Sequence, residues 1–462
     1  MTTPARMDAA PDIAAATGPR RPYESYVYAY PHKTAYRPLA DRPALRDLWT
    51  DRPKDALALY AHIPFCEVRC GFCNLFTRIG APDGLAGAYL DALTRQARAV
   101  REALEADRRT VRFAAAAFGG GTPTFLTAPE LSRLCDIAEH TMGADLRAVP
   151  LSVEASPSTA TADRLSVLAE RGTTRLSLGV QSFVDTEARS AVRPQKRAEV
   201  EAALGRIRDA AIPVLNIDLI YGIDGQTEDT WRRSLEAALA WLPEELYLYP
   251  LYVRPLTGLG RLHGPLSDEA WDTQRLGLYR YGRDLLLAAG YTQVSMRMFR
   301  RSGAPASAPG DHACQTDGMV GLGCGARSYT ADLHYSFDYA VDMRRIRAIV
   351  DDYVGRAQDD FTRADHGRWI DGAEARRRHL LQSLLQAEGM PVAEYEARFG
   401  TGPWDDFPVE LAEFAARGWL ADDGASPGTL CLTPEGLAHS DAVGPALFSP
   451  SVRAAMTAYA RK

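Results

Sequence analysis

Three cysteines, Cys66, Cys70 and Cys73, stand close together in Tyr60-Ala-His-Ile-Pro-Phe-Cys66-Glu-Val-Arg-Cys70-Gly-Phe-Cys73-Asn-Leu-Phe, directly after an apolar run from Leu57 to Ile63. Thiolates at such spacing can share one small metal cluster. Three ligands rather than four leave one iron of a [4Fe–4S] cluster open to a small molecule. The competing readings are a zinc loop and a chance group of buried thiols. Zinc sites usually pair their cysteines in two knuckles, and no second knuckle follows here.

The elements that must position these thiols come next. Short apolar runs at 57–63, 111–118, 149–155, 174–180, 213–220 and 245–252 alternate with helical patterns near 84–107, 128–142, 158–171, 196–211 and 227–241. Six strands interleaved with helices predict an α/β fold, a parallel sheet curved into a partial (β/α)6 barrel. In such barrels chemistry gathers where strands end. The candidate residues obey that rule. The cysteines follow the first strand, Gly119-Gly120-Gly121-Thr122 the second, Glu154 ends the third, Gln181 follows the fourth, and Asp218 lies on the fifth. Glycines let backbone groups approach a ligand closely. An acid at position 154 can neutralise a cation or bond a ribose or amine; an ordinary salt bridge is the alternative. Arg193 can fork onto a carboxylate, or simply be a solvated helix-start arginine.

At these residues the chain resembles the radical S-adenosylmethionine (SAM) enzymes, and within them the oxygen-independent coproporphyrinogen III oxidase-like family, whose motif also begins Tyr-x-His-Ile-Pro-Phe-Cys. The resemblance implies a cytoplasmic enzyme whose Cys66, Cys70 and Cys73 hold [4Fe–4S], with SAM on the open iron. The cluster's electron splits SAM into methionine and a 5′-deoxyadenosyl radical. It implies SAM contacts at Tyr60, Gly119, Gly120, Thr122, Glu154, Gln181, Arg193, Asp218 and Tyr252, and a shield over the cluster at Phe72. An external electron donor such as flavodoxin or ferredoxin is also implied.

Three outcomes live on that scaffold. The oxidase decarboxylates propionate groups oxidatively, and its loop typically carries a fourth cysteine where Leu75 stands. Its tetracarboxylate substrate favours a basic pocket, which a net charge of −6 does not advertise. A haem chaperone branch usually has His-Asn-x-x-Tyr-Trp, where this chain reads His312-Ala-Cys-Gln-Thr-Asp317. Cys-Gly-Phe-Cys-Asn-Leu-Phe-Thr and Tyr-Pro-Leu-Tyr-Val-Arg-Pro-Leu-Thr-Gly instead resemble the methyltransferase-like class C branch. That branch binds two SAM molecules and methylates or cyclopropanates an sp² carbon of a secondary metabolite. We therefore expect a class C methyltransferase or cyclopropanase, with oxidative decarboxylation or haem carriage as the alternatives. The tyrosine-rich stretch Tyr247–Tyr252 implies an aromatic or heteroaromatic acceptor.

Length and texture divide the 462 residues into a disordered start and N-terminal arm (1–50), the barrel (51–300), a glycine-rich strand with a connecting helix (301–361) and a small, mostly helical, winged-helix-like lid (362–462). The arm, rich in tyrosine and proline, reads equally as packing or as a cover for the substrate site. The acidic balance gives no nucleic-acid footprint. No apolar run reaches membrane-spanning length, and Asp8 and Asp12 break any signal-peptide core. The scattered Cys135, Cys314, Cys324 and Cys431 fit a reducing compartment.

Overall fold

The computed structural model describes residues 20–263, 268–305, 313–422 and 427–460. The disordered start expected for residues 1–20 and the position of His312 therefore lie outside the described residues, except for Arg20. The chain divides into two compact units. One joins the residues up to Tyr30 to Arg376–Phe448, and the other comprises Pro31–Ala375 and Ser449–Lys462.

The larger unit holds the expected alternation. Strands β1 (Leu57–Ile63), β2 (Phe113–Gly120), β3 (Leu151–Ala155), β4 (Thr173–Gln181), β5 (Val214–Tyr221) and β6 (Glu245–Pro250) run parallel in that order. Helices α1 (Leu85–Glu105), α2 (Ala128–Asp136), α3 (Ala162–Glu170), α4 (Asp185–Ser190), α5 (Arg197–Asp209) and α6 (Glu228–Leu239) connect them. Residues of β1 and β5 are buried nearly throughout, as expected for parallel strands covered on both faces. That is why their sequences read as unbroken apolar runs. The start of α2 shows how local chemistry sets a boundary. The backbone N–H of Thr127 donates to Glu130 Oε2 at 2.9 Å, one half of a capping box.

Beyond β6 the chain makes a tight hairpin of two strands, β7 (Tyr291–Gln293) and β8 (Met298–Arg301). The Val294 N–H donates to the Met298 carbonyl at 2.8 Å and folds the chain back. A second extension grows on the other edge. Strand β9 (Met319–Leu322) pairs parallel with β1, then turns at Gly323 (φ +96°) into β10 (Arg327–Tyr329), followed by β11 (Leu333–Ser336) and β12 (His366–Trp369). The glycine-dense stretch thus makes a bend beside the first barrel strand, where a side chain at 323 would strike the Tyr89 hydroxyl and the His62 carbonyl.

The smaller unit packs short helices, among them Val392–Phe399, Pro408–Ala416 and Ser440–Ala446, around a two-stranded ladder of Met390–Pro391 and Thr429–Leu430. Within it, Arg20 donates to Glu413 Oε2 at 2.9 Å. Among the described residues no helix is long and apolar enough to cross a membrane.

Candidate active site

The loop after β1 carries Cys66, Cys70 and Cys73, all half-buried and in no disulfide. Its shape is fixed from three directions. The Cys66 N–H donates to the Arg78 carbonyl at 3.1 Å, and the Gly71 N–H to the Ala191 carbonyl at 3.0 Å. The Leu259 N–H donates to the Gly71 carbonyl at 2.7 Å. A side chain at position 71 would press into Val192.

Each thiol also has a polar neighbour. Cys66 Sγ lies 3.4 Å from Thr122 Oγ1, Cys73 Sγ lies 3.8 Å from Thr77 Oγ1, and Arg193 Nη1 donates to Cys70 Sγ at 3.1 Å. Burial pushes the Cys66 thiol up to about 12 and raises that of Cys73, with the neighbouring cysteines adding to both. A metal must therefore displace protons to bind here.

A single tetrahedral zinc would need its sulfurs about 3.8 Å apart. Among the described residues, the one trio of ligand atoms within 4.8 Å of each other is Asp136, Glu139 and His140, away from the loop. The three thiols do not all lie within 4.8 Å of one another, and three thiolates with no fourth ligand are a donor set that suits a [4Fe–4S] cluster with one open iron.

The glycine triplet closes the next wall. Gly120 has φ +110°, and a side chain there would run into the His62 ring. At Gly119 a Cβ would stand 3.0 Å from the Glu154 carboxyl carbon. The room left is used, because the Gly120 N–H donates to Glu154 Oε2 at 3.0 Å. Glu154 faces the open centre of the barrel, where water reaches it although protein surrounds it. Desolvation pushes its pKa up to about 7, with the Gly120 bond opposing.

Asp218, two strands away on β5, accepts from Asn216 Nδ2 at 2.7 Å and from Ser177 Oγ at 3.1 Å. Burial raises its pKa as well, against the pull of Arg175. Gln181 ends β4 beyond a bulge at Val180 and takes φ +70°, rare for a residue with a side chain. A Cβ on Gly179 would meet the Gln181 amide at 3.0 Å and the Arg193 guanidinium at 3.7 Å, and that guanidinium also binds the Gly179 carbonyl.

Cys66, Cys70, Cys73, Gly119, Gly120, Thr122, Glu154, Gln181, Arg193 and Asp218 therefore come together at the open strand ends. Phe72 packs against a buried cluster that includes Ile220, Leu251 and Leu259. Tyr60 packs against Ala58, Met319 and Tyr329 on the edge beyond β1. Tyr252 sits on another wall, with Arg254 4.7 Å above its ring.

Three participants escaped the sequence reading. His62 is buried with its pKa lowered to about 4, mainly by desolvation, so the ring is neutral. Its Nε2 lies 3.0 Å from the Phe76 carbonyl and its Nδ1 3.3 Å from the Tyr60 hydroxyl, which assigns the proton to Nε2. Arg175 and Glu245 form a buried floor: Nε donates to Oε2 at 2.7 Å, and Nη1 to Ser152 Oγ at 3.0 Å. His62 stood inside the quoted motif and was legible there; the pairing of Arg175 with Glu245 requires the register of the sheet.

The Radical SAM superfamily profile matches residues 60–238, and the HemN C-terminal domain profile matches residues 370–439. The chain is 28% identical to the oxygen-independent coproporphyrinogen III oxidase of Pseudomonas aeruginosa, over 88% of each protein. It is 26% identical to the heme chaperone HemW of Bacillus subtilis, over 82% of this chain and 95% of that one. The match to the Paracoccus denitrificans oxidase reaches 33% but spans 60% of each protein. Among solved structures, coproporphyrinogen III oxidase (HemN) from Escherichia coli, a radical SAM enzyme, superposes with a TM-score of 0.76 at 22% identity, over 91% of this chain and 96% of that one.

These relatives overturn the expectation of a class C methyltransferase or cyclopropanase, since they carry oxidase or chaperone names. The reason is physical. The motifs that suggested that branch build the cluster loop and one barrel wall, which every outcome on this scaffold needs, and they do not touch what distinguishes the acceptors. The chain has an α/β radical SAM fold with a HemN-like C-terminal domain, and it is similar to proteins named coproporphyrinogen III oxidase and heme chaperone HemW.

Proposed function

We propose that the protein oxidatively decarboxylates propionate side chains of a coproporphyrinogen-type tetrapyrrole. One observation carries this reading. The three thiols, Glu154, Asp218 and Arg193 converge at the strand ends of a chain that matches a named oxidase over 88% of both lengths. The pyrrole rings of such a substrate are the heteroaromatic surface that stacked Tyr247 and Tyr249, 5.8 Å apart, would accept.

When bound, the cluster and SAM supply an electron and a 5′-deoxyadenosyl radical. Cys66, Cys70 and Cys73 would hold that cluster, and Phe72 and Thr122 would flank it. Arg193 would fork onto the SAM carboxylate. Gly119 and Gly120 allow the methionine end to lie against backbone, while Glu154, Gln181, Asp218 and Tyr60 offer partners to its amine and ribose. For each propionate, the carbon next to the ring loses a hydrogen atom. The carboxylate then leaves as CO2 and one electron passes to an acceptor, which leaves a vinyl group. Each abstraction consumes one SAM, so the pair of SAM molecules expected for methyl transfer falls with that reading. Reducing electrons come from an external flavodoxin- or ferredoxin-type donor.

Haem carriage is the second reading, and Leu75 favours it: this residue, 47% exposed, stands where the oxidases have a fourth cysteine. The test is anaerobic incubation of reconstituted protein with coproporphyrinogen III, SAM and a strong reductant. Vinyl products and CO2 are expected. Stable haem uptake without any vinyl product would transfer the assignment to the chaperone reading.

A further inference from the structure

Beyond β11, residues 337–342 pass beside the cysteine loop before Asp342 caps the helix Met343–Gly355, accepting from the Arg344 N–H at 3.0 Å. Two side chains join this stretch to the loop. Tyr339 donates its hydroxyl to the Asn74 carbonyl at 2.7 Å, one residue beyond Cys73. Arg69, one residue before Cys70, donates through Nη2 to the Val341 carbonyl at 2.7 Å and to the Cys73 carbonyl at 3.4 Å. Bonds from Arg78, Ala191 and Leu259 hold the loop at Cys66 and Gly71, whereas residues 73 and 74 are held from here.

The stretch is itself braced by the last helix, Pro450–Ala460. Tyr459 donates its hydroxyl to the Tyr339 carbonyl at 2.8 Å, and the two rings lie 6.1 Å apart. The Tyr339 ring also lies 6.4 Å from that of Phe76, which is buried three residues beyond Cys73. All of these residues belong to the larger unit. Arg69 makes no ion pair among the described residues, and a guanidinium keeps its charge at any working pH. That charge stands at the Cys73 end of the loop with no carboxylate against it.

We infer that Arg69, Tyr339 and Tyr459 are positioning residues for the cluster, holding the Cys73 end of its loop, and that Arg69 also raises the cluster's reduction potential. The inference rests on the [4Fe–4S] assignment and is independent of the acceptor. A cluster needs its three sulfurs at fixed places, and groups that orient the ligands without touching the metal govern how firmly it is kept. Its potential follows the charge and hydrogen bonding around it. Reduction adds one negative charge, which a nearby guanidinium stabilises.

Iron release to a chelator, and the midpoint potential from a redox titration followed by electron paramagnetic resonance, are measured on the anaerobically reconstituted full-length protein. Arg69→Gln is expected to release iron at least fivefold faster and to fall in potential, its constant for taking up one electron dropping threefold or more. Arg69→Lys keeps the charge and is expected to keep the potential. Tyr339→Phe and Tyr459→Phe each lack one hydroxyl, and each is expected to release iron at least threefold faster at unchanged potential and circular dichroism. The double variant is expected to release iron no faster than Tyr339→Phe alone, since Tyr459 acts through Tyr339. Tyr291→Phe removes a hydroxyl that donates to the Pro243 carbonyl at 2.6 Å on β7, and is expected to match wild type. Iron release within twofold of wild type in both Arg69→Gln and Tyr339→Phe overturns the inference, as does equal acceleration in Tyr291→Phe. An unchanged potential in Arg69→Gln overturns its second half. A wild-type protein that takes up no [4Fe–4S] cluster overturns it together with the cluster assignment. A protein that shows these effects yet forms no vinyl product supports the inference and condemns only the decarboxylase reading.

Discussion

Gly120→Ala tests how tightly the barrel wall is built around its ligand. Gly120 has φ +110°, a region almost closed to residues with a side chain, and forcing one there costs about 1–3 kcal/mol. The new methyl would also stand 2.7 Å from His62 Nε2, with other ring atoms nearer. Overpacking of this kind adds about 1–3 kcal/mol. The two together come to about 2–6 kcal/mol against a typical total of about 5–15 kcal/mol. Relief by rotating His62 is blocked on its far face, since the ring also fills the space that a side chain at Gly325 would take. Any shift would break the bonds from His62 to the Phe76 carbonyl and the Tyr60 hydroxyl, at 3.0 and 3.3 Å. The assay is urea unfolding followed by circular dichroism, with iron content measured after anaerobic reconstitution. Gly205→Ala is the control. Gly205 lies inside α5 with nothing within 4 Å of the new atom, so the change should stabilise by about 0.5–1 kcal/mol. A Gly120→Ala protein within about 0.5 kcal/mol of wild type, a margin ordinary for surface changes, and fully loaded with iron, would refute this account of the wall.

Other expectations follow from the same geometry. Cys66→Ala, Cys70→Ala and Cys73→Ala should each abolish reductive SAM cleavage, measured as 5′-deoxyadenosine by chromatography; unchanged cleavage in any one removes that residue from the cluster. Glu154, with its pKa near 7 through desolvation, takes up a proton on folding, so its contribution to stability falls as pH rises from the usual carboxylate range through 7. Affinity for SAM, a cation, should rise over that interval and level off above it. Calorimetry at several pH values should find this dependence flattened in Glu154→Gln, and an identical profile in that variant would deny Glu154 the contact. Asp218→Asn and Gln181→Ala should keep the wild-type circular dichroism while losing SAM affinity about tenfold, which is about 1.4 kcal/mol; loss of folding would make them core residues instead.

Much of the barrel was legible because its strands are covered on both faces and so appear as apolar runs of strand length, Leu57–Ile63 above all. The residues at strand ends were legible for the same reason: a run that stops at Gly119 or Ala155 marks where a ligand can sit. The hairpin at 291–301 was not, since an alternating apolar pattern is the same for one strand as for two with a turn at Ser295. Nor was the conformation of Gln181, because a bulge is a property of two paired strands and leaves no mark on one. The choice among reactions went astray for a related reason. Residues that make the radical dominate the motifs, whereas residues that receive it are scattered.

The central claim is that the radical formed at Cys66, Cys70 and Cys73 takes hydrogen from a propionate. Coproporphyrinogen III deuterated at the propionate carbon next to each ring, supplied with unlabelled SAM and reductant under anaerobic conditions, tests it directly. The account predicts one deuterium in 5′-deoxyadenosine for every vinyl group formed. Sustained release of deuterium-free 5′-deoxyadenosine, with the propionates intact, would contradict it.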